Sequence, residues 1–300
     1  LKDVGMLKQT IDYSNQPQTV YFDFYTNLLH LDQQTPQLTI SDKLKGFNIG
    51  YSILKKCKFS KLDLTGSALY YSDLTGSDFT NSILDGTTFL SSILINTKFN
   101  DISLKNADFS IDGNSTNTDL TDSDFSNSNL TNSKFQSVYN NTAKTINLTR
   151  TKFINAILTG SDFQSTDITK GDFTNATLEG ANIAYQKNTM GINFYKDFLK
   201  LGIPTLTTPK VTNLKGTNFY NSILTNCTFT GLDLTGVYLH SSTLINVDFR
   251  NTNLSNANFG GSNLTDSKFN DVDLTGAQFE LNSNYANLTR ADFTDAKLIG

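Results

Sequence analysis

The sequence predicts an all-β fold, a four-sided parallel β-helix or solenoid, and three observations predict it. A large apolar residue returns at every fifth position without a break, at Leu64, Leu69, Leu74, Phe79, Leu84, Phe89, Leu94, Phe99, Leu104 and Phe109. Two residues before these positions stands a small side chain, as at Ser72, Ser77, Ser82, Thr87, Ser92, Thr97 and Ala107, and the remaining positions are mostly polar. Helices repeat at about 3.6 residues and strands at about 2, so a period of five fits neither and implies a corner once per pentad. Four corners close a coil of about twenty residues, and successive coils pair at strand spacing.

The elements follow in order. Residues 1–38 lack the repeat; Val20, Phe22 and Phe24 alternate with Tyr21, Asp23 and Tyr25 ahead of Leu28, Leu29 and Leu31, which predicts a strand and a short turn or helix serving as an N-terminal cap. The β-helix is expected over 39–300, interrupted by loops near 111–118, 137–146, 184–212 and 281–286. Leu and Phe alternate from pentad to pentad after Leu74, and the alternation survives each interruption if every interruption occupies a single corner. On that basis one face carries Leu44, Leu64, Leu84, Leu104, Leu130, Leu158, Leu178, Leu224, Leu244, Leu264 and Leu288. Another carries Phe59, Phe79, Phe99, Phe125, Phe153, Phe173, Phe219, Leu239, Phe259 and Phe279. The breaks after Phe109, Phe135 and Ile183 then share one corner. The third contains a helix-like segment with Tyr195, Phe198 and Leu199 on one side, ended by Gly202 and Pro204.

Segments such as Ser77-Asp78-Phe79-Thr80-Asn81 and Ala291-Asp292-Phe293-Thr294-Asp295 resemble the repeat of the pentapeptide-repeat proteins: a small residue, Asp or Asn, Leu or Phe, then two mostly polar residues. The resemblance runs from about Lys43 to the end. It implies a right-handed quadrilateral β-helix and no single function, because such coils serve several roles.

Composition excludes some classes. The formal net charge is −4, from 24 basic and 28 acidic residues, so no strong field favours nucleic acid or an anionic membrane. No apolar run reaches the roughly 18 residues of a membrane span, and a soluble protein of the bacterial cytoplasm, or one secreted into a host cell, is expected. Cys57 and Cys227 both fall in the small inward slot and read as buried, unpaired thiols. His30, His240, Glu179 and Glu280 are scattered in the count, so neither an acid–base pair nor a catalytic, cofactor or metal site is expected. Aspartates recur singly before the apolar centre, where a short carboxylate can hydrogen-bond the turn.

Binding is therefore the expected business of the chain, with a protein partner. Candidate contact residues are Tyr195, Phe198 and Leu199 of the insertion and the outward Tyr220, Tyr238 and His240; Tyr51, Tyr70 and Tyr71 form a second aromatic patch. The first expectation is a non-enzymatic scaffold, the partner- or substrate-binding segment of a larger bacterial protein such as a secreted effector. A following domain or an end-to-end dimer would cover its C-terminal coil. The alternative, implied by the resemblance, is a DNA mimic that binds DNA gyrase or another topoisomerase. On one face Lys58, Asp78, Lys98, Asp124, Lys152 and Asp172 alternate in sign and argue against a continuous acidic stripe. On another, Asp73, Asp119, Asp167, Asp233 and Asp273 recur and leave that reading standing.

Overall fold

One residue per pentad, the second after each large apolar residue, turns the corner with left-handed backbone, as at Gly66 (φ 68°), Asn81 (φ 63°), Asn96 (φ 55°) and Asp101 (φ 60°). Gly, Asn and Asp tolerate that region better than other residues, which explains why they crowd this slot. The computed structural model describes residues 44–112, 117–137, 145–186 and 214–299. The expected cap at 1–38 lies outside the described residues, as does most of the expected helix-bearing insertion, including Tyr195, Phe198 and Leu199. The chain divides into two compact units, Leu1–Phe153 and Ile154–Gly300.

Between corners the residue before each apolar centre forms a parallel bridge to its counterpart twenty positions on, as in Asp63↔Ile83↔Ser103. Its own N–H reaches one neighbouring coil, Ile83 N to Leu62 O at 2.9 Å, and the next residue's N–H reaches the other, Leu84 N to Ser103 O at 2.9 Å. The inward small slot adds a second ladder. Ser77 Oγ donates to Leu54 O at 2.6 Å and accepts from Cys57 N at 3.1 Å, and Thr87, Ser92 and Thr97 donate likewise to Leu64, Leu69 and Leu74. These four buried hydroxyls are thereby satisfied by the coil beneath.

In the first unit the centres stack in columns. Phe59, Phe79, Phe99, Phe125 and Phe153 lie 4.6–5.2 Å apart and nearly parallel. Phe89, Phe109 and Phe135 form a second column, which meets the first edge-on, for example Phe99 against Phe109 at 5.8 Å and 83°. All are buried. Both early interruptions leave one corner, as expected: Phe109 and Phe135 are stacked at 4.8 Å before them, and Asp119 bridges both Ile93 and Asn147 after them. The bridges Lys58↔Asp78↔Lys98↔Asp124↔Lys152 confirm the alternating column of charge, where Lys152 Nζ lies 3.7 Å from Asp124.

The second unit corrects the expected faces. Asn182 bridges Asn218, Gly180 N donates to Lys215 O at 2.7 Å, and Thr217 Oγ1 donates to Leu178 O at 2.9 Å. Leu214 therefore returns to the face of Leu178, and Phe219 to that of Ile183. Neither the expected pairing of Leu178 with Leu224 nor that of Phe173 with Phe219 occurs. The interruption after Ile183 takes up two faces of its coil rather than one corner. An alternation of Leu and Phe repeats every second pentad, so a slip of two faces leaves it unchanged and invisible in the sequence. Gln186 occupies an inward slot meant for a small residue, and its Nε2 donates to Phe163 O at 3.1 Å as a serine would.

Two local elements depart from the pentads among the described residues. Ile168–Lys170 forms a 3₁₀ turn capped by Asp167, whose carboxylate accepts from Thr169 N. The expected loop at 281–286 is a hairpin of β1 (Glu280–Leu281) and β2 (Asn284–Tyr285), turned by Asn282 (φ 51°) and Ser283 (φ 64°), the pair of positive φ values that a tight two-residue hairpin needs. It lies on Gly260, where a Cβ would fall 2.4 Å from Leu281 Cβ.

Candidate protein-binding surface

The hydrogen-bonded register of the second unit sets Tyr220 against His240, their ring centres 4.3 Å apart and tilted by 32°. Tyr185 N donates to Tyr220 O, and Tyr185 meets the Tyr220 ring edge-on at 5.2 Å. Three aromatic rings from three successive coils thus line one edge. Tyr185 is absent from the candidates named from sequence, although it occupies the corner slot two residues after Ile183, and the same five-residue count finds it. Tyr238, 51% exposed, stands on the flat of the wall, where it bridges Asn218 and Asn258. Partial burial holds the His240 imidazole below its ordinary pKa, so at neutral pH this edge is uncharged and aromatic. Residues 187–213 begin two positions after Tyr185.

The Tyr51, Tyr70 and Tyr71 patch also forms. Tyr51 stacks on Tyr71 at 4.8 Å, and Tyr70 meets both edge-on at 5.4 and 5.6 Å. Tyr51, Tyr71 and Tyr185 all hold left-handed backbone, at φ 57°, 54° and 61°. Bulky side chains rarely accept that region.

The recurrent aspartates serve the turns. Asp73 Oδ1 accepts from both Thr75 N and Thr75 Oγ1, and Asp233 and Asp273 repeat the arrangement with Thr235 and Thr275. Cations cover several of them: Lys55 on Asp73 at 3.1 Å, Lys170 on Asp167 at 3.5 Å and Lys297 on Asp273 at 3.2 Å. Elsewhere Arg150 forks onto Asp122, and Arg290 onto Asp266. Among the described residues no three His, Cys, Asp or Glu side chains converge to hold a metal, and no helix is long and apolar enough to cross a membrane.

The family description "Pentapeptide repeats (8 copies)" matches residues 44–81, 72–110, 113–138 and 146–183, and "Pentapeptide repeat region" matches 210–279. No curated protein matches the chain. Among solved structures it is similar to HetL, a pentapeptide repeat protein involved in heterocyst differentiation regulation from the cyanobacterium Nostoc sp. strain PCC 7120, at 19% identity over 84% of this chain and 87% of that one, with a TM-score of 0.39. It is also similar to QnrB1, a plasmid-mediated fluoroquinolone resistance protein, at 19% identity over 75% and 87%, TM-score 0.27. Rfr23 from the cyanobacterium Cyanothece 51142 matches at 20% identity over 40% and 85%, TM-score 0.20.

Proposed function

Since this chain belongs to the pentapeptide-repeat family, we propose that it is a non-enzymatic protein-binding scaffold built on a right-handed, four-sided coil. Its partner meets the edge formed by Tyr185, Tyr220 and His240, with Tyr238 beside it. The observation that carries this reading is the ring-on-ring contact of Tyr220 with His240, flanked by Tyr185. Exposed aromatic clusters are enriched at protein interfaces because they offer large area at low entropy cost. The effector setting rests on the analogy of repeat architecture alone.

The DNA-mimic reading is the weaker of the two. A phosphate mimic needs a run of uncompensated acids, whereas Asp73, Asp167 and Asp273 each carry a lysine. Exposed pairs of this kind contribute only about 0–1 kcal/mol to stability, but they cancel the field such mimicry would use.

A photo-crosslinking side chain placed at position 220 should capture a discrete protein from cell extract, and the same group at the exposed Asn246 of the same unit should not. Equal capture at both positions would remove the reading.

A further inference from the structure

We infer that the wall between Lys56 and Lys61 in the first unit is a docking site for an acidic peptide segment of a partner protein, laid along the coil. The inference rests on the reading of the chain as a protein-binding scaffold, but on residues of the other unit, so the two can fail separately.

The net charge of −4 conceals an uneven distribution. Residues 44–62 hold five lysines, Lys45, Lys55, Lys56, Lys58 and Lys61, and no acid, whereas residues 63–82 hold three aspartates and no base. The wall lysines are matched to those aspartates. Lys45 reaches Asp63 at 3.2 Å, Lys55 reaches Asp73 at 3.1 Å, and Lys58 pairs with Asp78 in the wall. The corner lysines are not. On the next coil Lys56 meets Gly76, where its Cγ would lie 3.3 Å from an added Cβ, and Lys61 meets Asn81.

The backbone supplies an independent observation. Lys56 and Lys61 hold φ 56° and 66° in the slot that Gly, Asn and Asp mostly fill. The other long side chains in left-handed corners are engaged: Arg150 with Asp122, Arg290 with Asp266, Tyr51 with Tyr71 and Tyr185 with Tyr220. Lys56 and Lys61 are exposed, and among the described residues neither side chain is ion-paired. Asparagine would serve these turns better, so the two ammonium groups are retained for an anion outside the fold.

The layout also selects the partner. From coil to coil the wall alternates in sign, through Lys58, Asp78, Lys98 and Asp124, so a broad anionic plane such as a membrane or a duplex would press its phosphates onto two aspartates. Along the first coil, Lys56, Lys58 and Lys61 follow one another with no acid between them. A narrow chain of carboxylates laid that way meets all three and avoids Asp78. Single-stranded nucleic acid is narrow as well, but it binds by stacking bases on open aromatic faces. Around the inward Phe59 this wall presents only Lys58 and Ser60.

The test is fluorescence anisotropy of a labelled octapeptide of alternating glutamate and threonine, titrated with the whole chain in about 0.1 M salt. We expect a Kd of about 100 μM, lost at about 0.5 M salt because exposed charges are then screened. Lys56→Asn combined with Lys61→Asn should weaken binding at least about ten-fold. Its melting temperature should match or exceed that of the parent, which separates lost binding from lost folding. Lys105→Asn combined with Lys134→Asn makes the same change in net charge elsewhere in the unit and should leave affinity within about two-fold. No binding by the parent, equal loss in both double variants, or unchanged affinity without Lys56 and Lys61 would each overturn the assignment. So would tighter binding, through the same two lysines, of a single-stranded oligonucleotide of equal charge or of vesicles of phosphatidylcholine and phosphatidylserine.

Discussion

Asn182 and Asn218 are immediate neighbours in the wall of the second unit: they share a backbone bridge, and Asn218 Nδ2 donates to Asn182 Oδ1 at 3.1 Å. They are thirty-six positions apart where uninterrupted coils place twenty, so sixteen residues of the intervening stretch are surplus to the coil. Removing sixteen residues from within 187–213 should leave this pair joined and the unfolding midpoint close to that of the parent. Removing twenty-one should set Leu214 one face out of step, place leucines on phenylalanine columns and lower the midpoint. Circular dichroism melts of the two deletions decide it, and equal midpoints would refute this register.

Phe99 is fully buried and stacked between Phe79 at 5.1 Å and Phe125 at 4.7 Å, while its neighbour Lys98 points outward. Phe99→Ala should cost roughly 3–5 kcal/mol. Lys98→Ala should stay within about 0.5 kcal/mol. Denaturant titration of both variants checks the assignment of inside and outside.

These two cases show what the sequence makes legible. Phe99 could be placed from its five-residue count because the count depends only on local spacing, and the early breaks after Phe109 and Phe135 are short enough for it to resume. The face of Phe219 could not, because its neighbour Ile183 lies beyond a long insertion and the Leu/Phe rhythm is blind to a slip of two faces. Tyr220 and His240 were legible for the same local reason as Phe99. Their contact with Tyr185 was not, since it depends on the lost register.

Asp273 offers a test in acid. The Thr275 hydroxyl and amide, with Lys297 beyond them, hold its carboxyl at about 2, below its ordinary value. Asp63 is lowered as well: burial would raise it, but Thr65 and Lys45 outweigh that. A carboxylate with a depressed folded-state pKa binds its proton more weakly than in the unfolded chain, so its contribution is complete above about pH 4 and lost as pH falls through the folded value. Melting temperature should therefore decline between about pH 4 and 2, and Asp273→Asn should decline less steeply. A flat profile over that interval would contradict the hydrogen-bonded turns.

Tyr185 sits at φ 61° in a slot that asparagine fills elsewhere. Tyr185→Asn should raise stability by about 1 kcal/mol while reducing capture by a crosslinker at position 220. A variant more stable and equally good at capture would take Tyr185 out of the interface.

Gyrase supercoiling assays address the competing reading. The purified chain should leave supercoiling unaffected. Inhibition at stoichiometric levels, relieved by Asp167→Lys or Asp233→Lys, would favour recognition through these aspartates over the aromatic edge.

The two cysteines have a use that their chemistry does not advertise. Each unit holds one, Cys57 in the first and Cys227 in the second, both fully enclosed, and burial pushes the Cys57 thiol up to about 12. Neither sulfur can meet an alkylating reagent until its own stretch of coil breathes open, because the reactive species is an accessible thiolate. The chain thus carries a native timer in each half. Timed alkylation followed by mass spectrometry would read how often each half opens, and whether they open together, without a single engineered label.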